Sequence, residues 1–350
     1  MTALRAYKKM NDTQTIRIPA AEMQSLFTSI LVKYGFVKEK ASRCAEVFTS
    51  NSIDGVYTHG VNRFPVFVQY VKEGLVDKDA EPSLHSAFNG IEQWNGNLGP
   101  GPLNAILATD RAVQLAQQYG IGCVALSNTN HWMRGGYYGW QAAKKGCVFI
   151  GWSNTIGNMP AWGATDSRLG NNPMVIALPY EEEAIVLDMA MSQFSFGTLE
   201  LAAAKDETLP VHGGYDIEGT LTTDPAAIIE SGRPLPIGYW KGAGLSLLLD
   251  ILAAILSGGL ATHQITAGGK ERSLSQVFIC IDITKLGNHS LIAKTVNDII
   301  ADYHHSQTDG KRKISYPGER VLKTRAKNLD NGIPVLRTKW EEILHLNQRP

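Results

Sequence analysis

The chain has 350 residues, 44% hydrophobic and 19% charged, with 33 Lys plus Arg against 33 Asp plus Glu. This composition supplies a substantial core for one large or two smaller globular bodies and excludes intrinsic disorder. The balanced charge argues against nucleic acid as the main partner, and no uninterrupted apolar stretch of about 18 residues marks a membrane span. Residues 1–17 read as a polar arm with Arg5, Lys8 and Lys9 and without the apolar core of a signal peptide. From there Met23, Leu26, Phe27, Ile30, Leu31 and Tyr34 recur at helical spacing. Ala41, Cys44, Ala45 and Phe48 mark a second helix, and Phe64, Phe67, Val68 and Val71 a third. The first 75 or so residues are therefore expected to be all-helical, with His59 in the short link between helices two and three.

Character changes after Glu81-Pro82. A glycine- and proline-rich link at 96–102 leads into a helix over 103–119, a buried strand over 121–126 and a helix over 137–145. Strand-length apolar runs cover 148–152, 174–178 and 184–189, the last two joined by the polar turn 179–183 as a hairpin. Residues 244–256 are apolar almost all round, which predicts a buried helix. A strand over 277–283 and helices over 291–303, 320–329 and 339–346 complete the pattern. The fold class this predicts is α/β. A mixed sheet body over 86–289 is flanked by helices, and a helical subdomain over 18–85 is completed by the C-terminal helices of 290–350.

The four cysteines, Cys44, Cys123, Cys147 and Cys280, form no C-x-x-C pair and sit in apolar contexts, as reduced core residues of a cytoplasmic protein do. No metal site is expected, because the histidines have no ligand-like spacing. No G-x-G-x-x-G follows a strand and no phosphate-binding G-x-x-x-x-G-K-[ST] occurs, so a nicotinamide cofactor would be bound without a Rossmann turn.

Two segments carry the chemistry. Tyr57-Thr58-His59-Gly60-Val61-Asn62-Arg63-Phe64 and Asn128-Thr129-Asn130-His131-Trp132-Met133-Arg134-Gly135-Gly136 each follow a histidine closely with an arginine. Histidine exchanges a proton near neutral pH, and arginine grips a carboxylate with a planar fork of donors. A proton donor beside a carboxylate clamp suits the reduction of a 2-oxo acid. Each histidine also has a bland reading, as a turn or loop residue. Asp188, flanked by Val186, Leu187 and Met189, is expected to be buried and to need a partner. It either caps a nearby loop or accepts a hydrogen bond from His59 and fixes its tautomer. Trp240-Lys241-Gly242-Ala243-Gly244 opens the apolar helix, either as an anion-binding helix start or as a tight packing turn.

In order along the chain, Thr58-His59-Gly60-Val61-Asn62-Arg63, Asn130-His131, Gly170-Asn171-Asn172-Pro173, Asp188-Met189 and Lys241-Gly242-Ala243-Gly244-Leu245 resemble the motifs of the non-Rossmann malate/L-lactate dehydrogenase family. The resemblance runs from about Ile18 to the C-terminal helix. Within the family, Asn130-His131-Trp132-Met133-Arg134-Gly135-Gly136 and Gly238-Tyr239-Trp240-Lys241-Gly242 are similar to the branch acting on diketo sugar acids. The chain departs from the pattern at Asn171, where a threonine is common.

The resemblance implies a non-Rossmann NAD-binding fold, with His59 as proton donor and Asp188 as its orienting partner. It implies cofactor contacts from Ala184, Ile185, Val186, Leu187, Asp188, Met189, Ala190, Trp240, Lys241, Gly318, Glu319 and Arg320. Arg63, His131 and Asn172 are expected to hold the substrate, a 2-oxo sugar acid reduced at C2. NADH is expected over NADPH, and the implied assembly is a homodimer. A malate, lactate or ureidoglycolate dehydrogenase of a sister branch, or a sugar-acid binding protein without turnover, stays open at this point.

Overall fold

The computed structural model describes residues 15–311 and 313–348. Its centre is a seven-stranded sheet in the order β2-β3-β4-β12-β5-β8-β9. The strands are β2 (Ser83–Phe88), β3 (Ile91–Asn95), β4 (Ile121–Thr129), β5 (Cys147–Ser153), β8 (Met174–Tyr180), β9 (Glu183–Met189) and β12 (Leu274–Asp282). Only the β3–β4 pair is parallel, so the sheet is mixed. β8 and β9 pair antiparallel across a two-residue turn in which Glu181 adopts φ +51°, as the alternating apolar runs predict.

Side chains alternate across this sheet with period two and feed two cores. Val124, Leu126, Phe149, Phe278 and Cys280 face one way, toward α4 (Gly101–Tyr119) and α5 (Gly135–Ala143). Ala125, Trp152 and Val277 face the other way, toward α8 (Trp240–Ser257), which contributes Ala243, Leu249 and Ala253. α4 has Pro102 in its first turn, where the missing N–H costs nothing, and it stops at Gly120, which takes φ +88°.

The first core continues into helices from the N-terminal part of the chain, α1 (Ala20–Lys33), α2 (Lys38–Ile53) and α3 (Phe64–Lys72), and into the C-terminal end through Trp340 and Ile343. Phe27, Phe48 and Phe64 interlock there, Phe27 and Phe64 stacked at 3.9 Å between centroids and Phe48 edge-on to Phe64. α11 (Glu319–Asn331) packs on α2, and α12 (Arg337–Gln348) on α1 and α3. α10 (His289–His304) lies outside this packing and buries none of its residues.

Three local expectations change. The N-terminal region is not all-helical, because β1 (Thr15–Ile18) pairs antiparallel with β13 (Ile333–Leu336). Of the expected arm, residues 1–14 lie outside the described residues and 15–17 belong to β1. Four residues pairing with a partner more than 300 positions away leave no local periodicity to read. β2 was also hidden: it is an edge strand with all six residues exposed, so it carries no inside-outside alternation. α8, expected to be buried all round, buries one face only. Leu247, Leu248, Ile251 and Ile255 on the opposite face are open.

Candidate active site

A one-turn 3-10 helix, Tyr57–His59, sits just beyond the C-terminus of α2 and is tied to that helix. Asn51 Nδ2 donates to the His59 carbonyl at 3.0 Å, and Val61 N–H donates to Ser52 Oγ at 2.8 Å. The backbone of residue 59 is thereby fixed before any ligand arrives. Its ring lies against the ring of His131, 5.6 Å between centroids and 17° from parallel. His131 Nδ1 accepts from Met133 N–H at 2.9 Å, so the neutral ring carries its proton on Nε2. Arg63, the N-cap of α3, is close enough to influence both imidazoles and donates from Nη2 to Glu271 Oε2 at 3.4 Å.

The expected convergence of His59, Arg63, His131 and Asp188 is therefore present, with one difference. Asp188 acts on His59 through charge, while its carboxylate oxygen Oδ2 accepts from Gly136 N–H at 2.8 Å and lies 3.5 Å from Arg134 Nε. No His59–Asp188 hydrogen bond forms among the described residues. Gly136 is required at this spot, because a Cβ there would lie 2.8 Å from Asp188 Oδ2.

Behind Asp188 stands an ionic network that sequence reasoning missed. Arg134 Nη1 meets Asp54 Oδ2 at 2.5 Å, and Arg325 Nε meets Asp54 Oδ1 at 2.7 Å. Arg325 also bonds Glu183 at 3.1 Å, and the Trp140 ring has a guanidinium 5.0 Å away (Arg134) and another 4.9 Å away (Arg325). Asp54 and Arg134 are both buried. The available signal was a charged residue directly before Gly55-Val56-Tyr57 and an arginine inside the Asn130–Gly136 motif. Only the tertiary structure pairs them.

Asn172 is a correction. It is completely buried with φ +26°, and its amide is used internally: Oδ1 accepts from Thr155 N–H at 2.9 Å, and Nδ2 donates to Ser246 O at 2.9 Å. No hydrogen-bonding capacity is directed outward for a substrate, so the residue shapes the 170–173 turn instead. Asn171, where the chain departs from the family pattern, accepts from Ser192 Oγ at 2.8 Å and so ties the same turn to the segment after β9.

The segments expected to hold a cofactor meet along β9, the free edge of the sheet. Val186 N–H donates to Pro317 O at 3.0 Å, which lays the Gly318–Arg320 turn on that edge. Ile237 N–H donates to Met191 O at 2.8 Å, which brings the start of α8 to the end of the same strand. Trp240 and Lys241 are exposed there, as is Leu187. The alternation of β9 divides its residues: Ala184 and Val186 turn into the core, so their side chains are not available to a ligand, whereas Ile185 and Leu187 face the other way and Met189 is partly buried against the second core. Asp188 shares the register of Ala184 and Val186 but is exposed, not buried as expected, because the strand runs past the core at this end. Glu319 is engaged by Lys323 at 2.7 Å. Gly242 is needed for tight packing at this helix start, since a Cβ there would lie 2.2 Å from the Ile237 carbonyl oxygen. An open strand edge with an exposed indole and a lysine suits a flat, polar, anionic group such as a dinucleotide.

Burial pushes the His59 imidazole down to about 4; Asp188 opposes this, and Arg63 and Arg134 reinforce it. His131 is also driven well below the ordinary range, first by burial and then by Arg63 and His59. The free protein therefore holds both rings neutral near pH 7. The consequence for stability has a definite sign. Above pH 6.5 neither folded nor unfolded chain carries a charge on residue 59. As the pH falls from 6.5 to about 4, the unfolded chain takes up a proton that the fold refuses, and stability falls by about 3 kcal/mol. Chemical denaturation of wild type and His59→Gln at pH 7 and pH 4.5 should show wild type losing more over that interval. Equal losses would rule out the depressed imidazole.

Comparison with known proteins identifies the family. The sequence profile of the malate/L-lactate dehydrogenase family matches residues 18–344. The chain is 42% identical over 331 residues to the 2,3-diketo-L-gulonate reductase of Escherichia coli O6:K15:H31 (strain 536 / UPEC), covering 94% of this chain and 99% of that one. Malate dehydrogenase from Entamoeba histolytica superposes with a TM-score of 0.90 at 25% identity, covering 96% of this chain and 99% of the other. Sulfolactate dehydrogenase from Methanocaldococcus jannaschii does so with 0.88 at 26%, covering 95% and 97%. With the profile match spanning nearly the whole chain and 42% identity over 331 residues to a member reductase, the chain belongs to the malate/L-lactate dehydrogenase family, a family of oxidoreductases.

Proposed function

We propose that this protein reduces the C2 carbonyl of 2,3-diketo-L-gulonate to the 3-dehydro-L-gulonate alcohol, using NADH in preference to NADPH. The observation that carries the reading is the convergence of His59, His131 and Arg63 beside Asp188, at the end of the strand where the cofactor segments meet. The identity with the E. coli reductase supports the substrate. The fold and the residues on β9 fit a nicotinamide dinucleotide. Ile185, Leu187 and Met189 offer an apolar edge, Trp240 a ring and Lys241 a charge, with Gly318 and Arg320 alongside. When bound, reduced nicotinamide supplies the hydride equivalent for C2.

The chain's own residues manage the carboxylate and the proton. Arg63 receives the C1 carboxylate, which sets the carbonyl beside the two rings. Burial is the main cause of the depressed His59 imidazole, and that anion cancels part of the cationic field of Arg63 and Arg134 that adds to it. Substrate binding thus loads His59 with the proton it lacks in the free protein, and His59 delivers it to the carbonyl oxygen as C2 is reduced. Asp188, fixed by Gly136 N–H and Arg134, stabilises the imidazolium during that interval. His131 donates from Nε2 toward the same substrate.

The exposed apolar face of α8 supports the homodimer. It is long and apolar enough, by length and composition, to cross a membrane. Its other face is packed on the sheet, however, and Asp250 within it accepts from Thr262 N–H and Asn154 Nδ2 at 2.8 and 2.9 Å. A subunit interface therefore suits it better than lipid. A monomeric mass by sedimentation equilibrium would remove this part of the reading. Neighbouring thiols Cys147 and Cys280 stay unpaired, in keeping with a cytoplasmic enzyme.

Loss of reduced-nicotinamide absorbance with 2,3-diketo-L-gulonate, oxaloacetate and pyruvate tests the assignment, with each cofactor in turn. The expected result is a kcat/KM for diketogulonate at least ~10-fold above the others, with NADH the better cofactor. Turnover of oxaloacetate or pyruvate alone would transfer the chain to a sister activity, and binding without turnover would make it a sugar-acid binding protein.

A further inference from the structure

We propose that Glu271 is a specificity-determining residue that selects by charge, holding Arg63 in place while admitting a hydroxylated monoanion and rejecting a second carboxylate. This rests on the reading of the chain as a 2-oxo sugar-acid reductase. Glu271 comes from the loop between Thr262–Ala267 and β12, far in sequence from the histidine motifs, yet it reaches Arg63 at 3.4 Å. The pair is a single contact through Nη2, and among the described residues Arg63 Nε and Nη1 have no hydrogen-bond partner. The guanidinium is thus anchored on one side and keeps donors for a ligand carboxylate on the other.

The local charge count decides what else can enter. Arg134 is already engaged by Asp54 and Asp188, and both imidazoles are neutral in the free protein. Among the described residues Arg63 is the cation in contact with Glu271, whose side chain is only 17% exposed. Burial raises the Glu271 carboxyl, opposed by Arg63 and the Ile156 backbone N–H. A substrate with one carboxylate leaves Arg63, Glu271 and ligand at a net single negative charge. The proton that His59 takes up on binding is common to both kinds of substrate, so a dicarboxylate such as oxaloacetate adds a second negative charge beside Glu271 with no further cation to meet it, and like charges at a part-buried carboxylate repel. A carboxylate has about four lone-pair sites, so Glu271 keeps acceptors for substrate hydroxyl groups after bonding Arg63. The same residue then favours a polyol acid and disfavours a diacid, a repulsive element as well as an attractive one.

Glu271→Gln removes the charge and retains the oxygen facing Arg63. The ratio of kcat/KM for oxaloacetate to that for 2,3-diketo-L-gulonate should rise at least ~10-fold, through a lower KM for the diacid at similar kcat. Thermal stability should stay within a few degrees of wild type. Parallel losses on both substrates, or no change in the ratio, would overturn the assignment by marking a structural or silent residue. Calorimetric Kd values for oxaloacetate and pyruvate read the same selection without turnover: the diacid should gain at least ~10-fold over the monoacid in the variant. Failure of that gain overturns the proposal, including failure of the diacid to bind the variant. If wild type does not reduce diketogulonate while the calorimetric ratio shifts, the parent reading fails and the charge selection stands.

Discussion

Replacing His59 by asparagine is expected to lower kcat for 2-oxo acid reduction by about 10²- to 10⁴-fold, the range for losing a positioned general acid. Asparagine keeps a polar side chain of similar reach, and the 59 backbone is held by Asn51 and Ser52 through main-chain atoms, so the loop should survive the change. Reduced-nicotinamide affinity, read by fluorescence titration, should change little, because the β9 edge and the start of α8 lie on other segments. Wild type should show a second signature. With the free-protein imidazole at about 4, kcat/KM for reduction should fall close to tenfold per pH unit over pH 5–8. The kcat profile should hold to higher pH, because burial sets most of the depression and the bound carboxylate relieves the part that Arg63 adds. A pH-independent kcat/KM, or near-normal turnover of the asparagine variant, would take His59 out of the proton path.

Local chemistry was readable where it was local. The Thr58–Arg63 and Asn130–Gly136 segments declared themselves because a histidine, an arginine and glycines within a few positions are an uncommon juxtaposition, and the structure stacks His59 on His131. The strands β4, β5 and β12 were legible because central strands packed on both faces read as apolar runs, and β8 and β9 because a polar turn separates two such runs. What stayed hidden depends on distant pairing. Thr15–Ile18 finds its strand partner only at 333–336, and Glu271 finds Arg63 across 208 positions. Asn172 was misread for a related reason. An asparagine beside a proline in a family motif looks like a ligand contact, and only the positions of Thr155 and Ser246 show its amide to be satisfied inside. The all-round apolar pattern of α8 was read as burial on every side, but only one face meets the sheet and the other is open. Apolar periodicity alone cannot separate a face packed within the chain from one that is not.

Removing the carboxylate of Asp54 should have the largest effect on stability. Asp54→Ala strips two buried or half-buried guanidiniums, Arg134 and Arg325, of their shared anion, and breaking such a network by deleting one partner costs about 3–5 kcal/mol. Urea denaturation should read this as a lower midpoint at unchanged slope. Activity should fall as well, for a separate reason. Arg134 is held between Asp54 and Asp188, so once the first anion is gone its guanidinium turns wholly to the second. The imidazolium of His59 then competes with an arginine for one carboxylate, and kcat should drop ~10-fold or more beyond any loss of folded protein. The double variant Asp54→Leu/Arg134→Met separates the two effects. Replacing the buried pair by apolar groups of similar volume should recover much of the lost stability, since the desolvation penalty of both charges disappears. It should not recover kcat, because Asp188 would then be held by Gly136 N–H alone. Full recovery of both would mean that the Asp54–Arg134 pair serves folding only and that Asp188 needs no second anchor to serve His59.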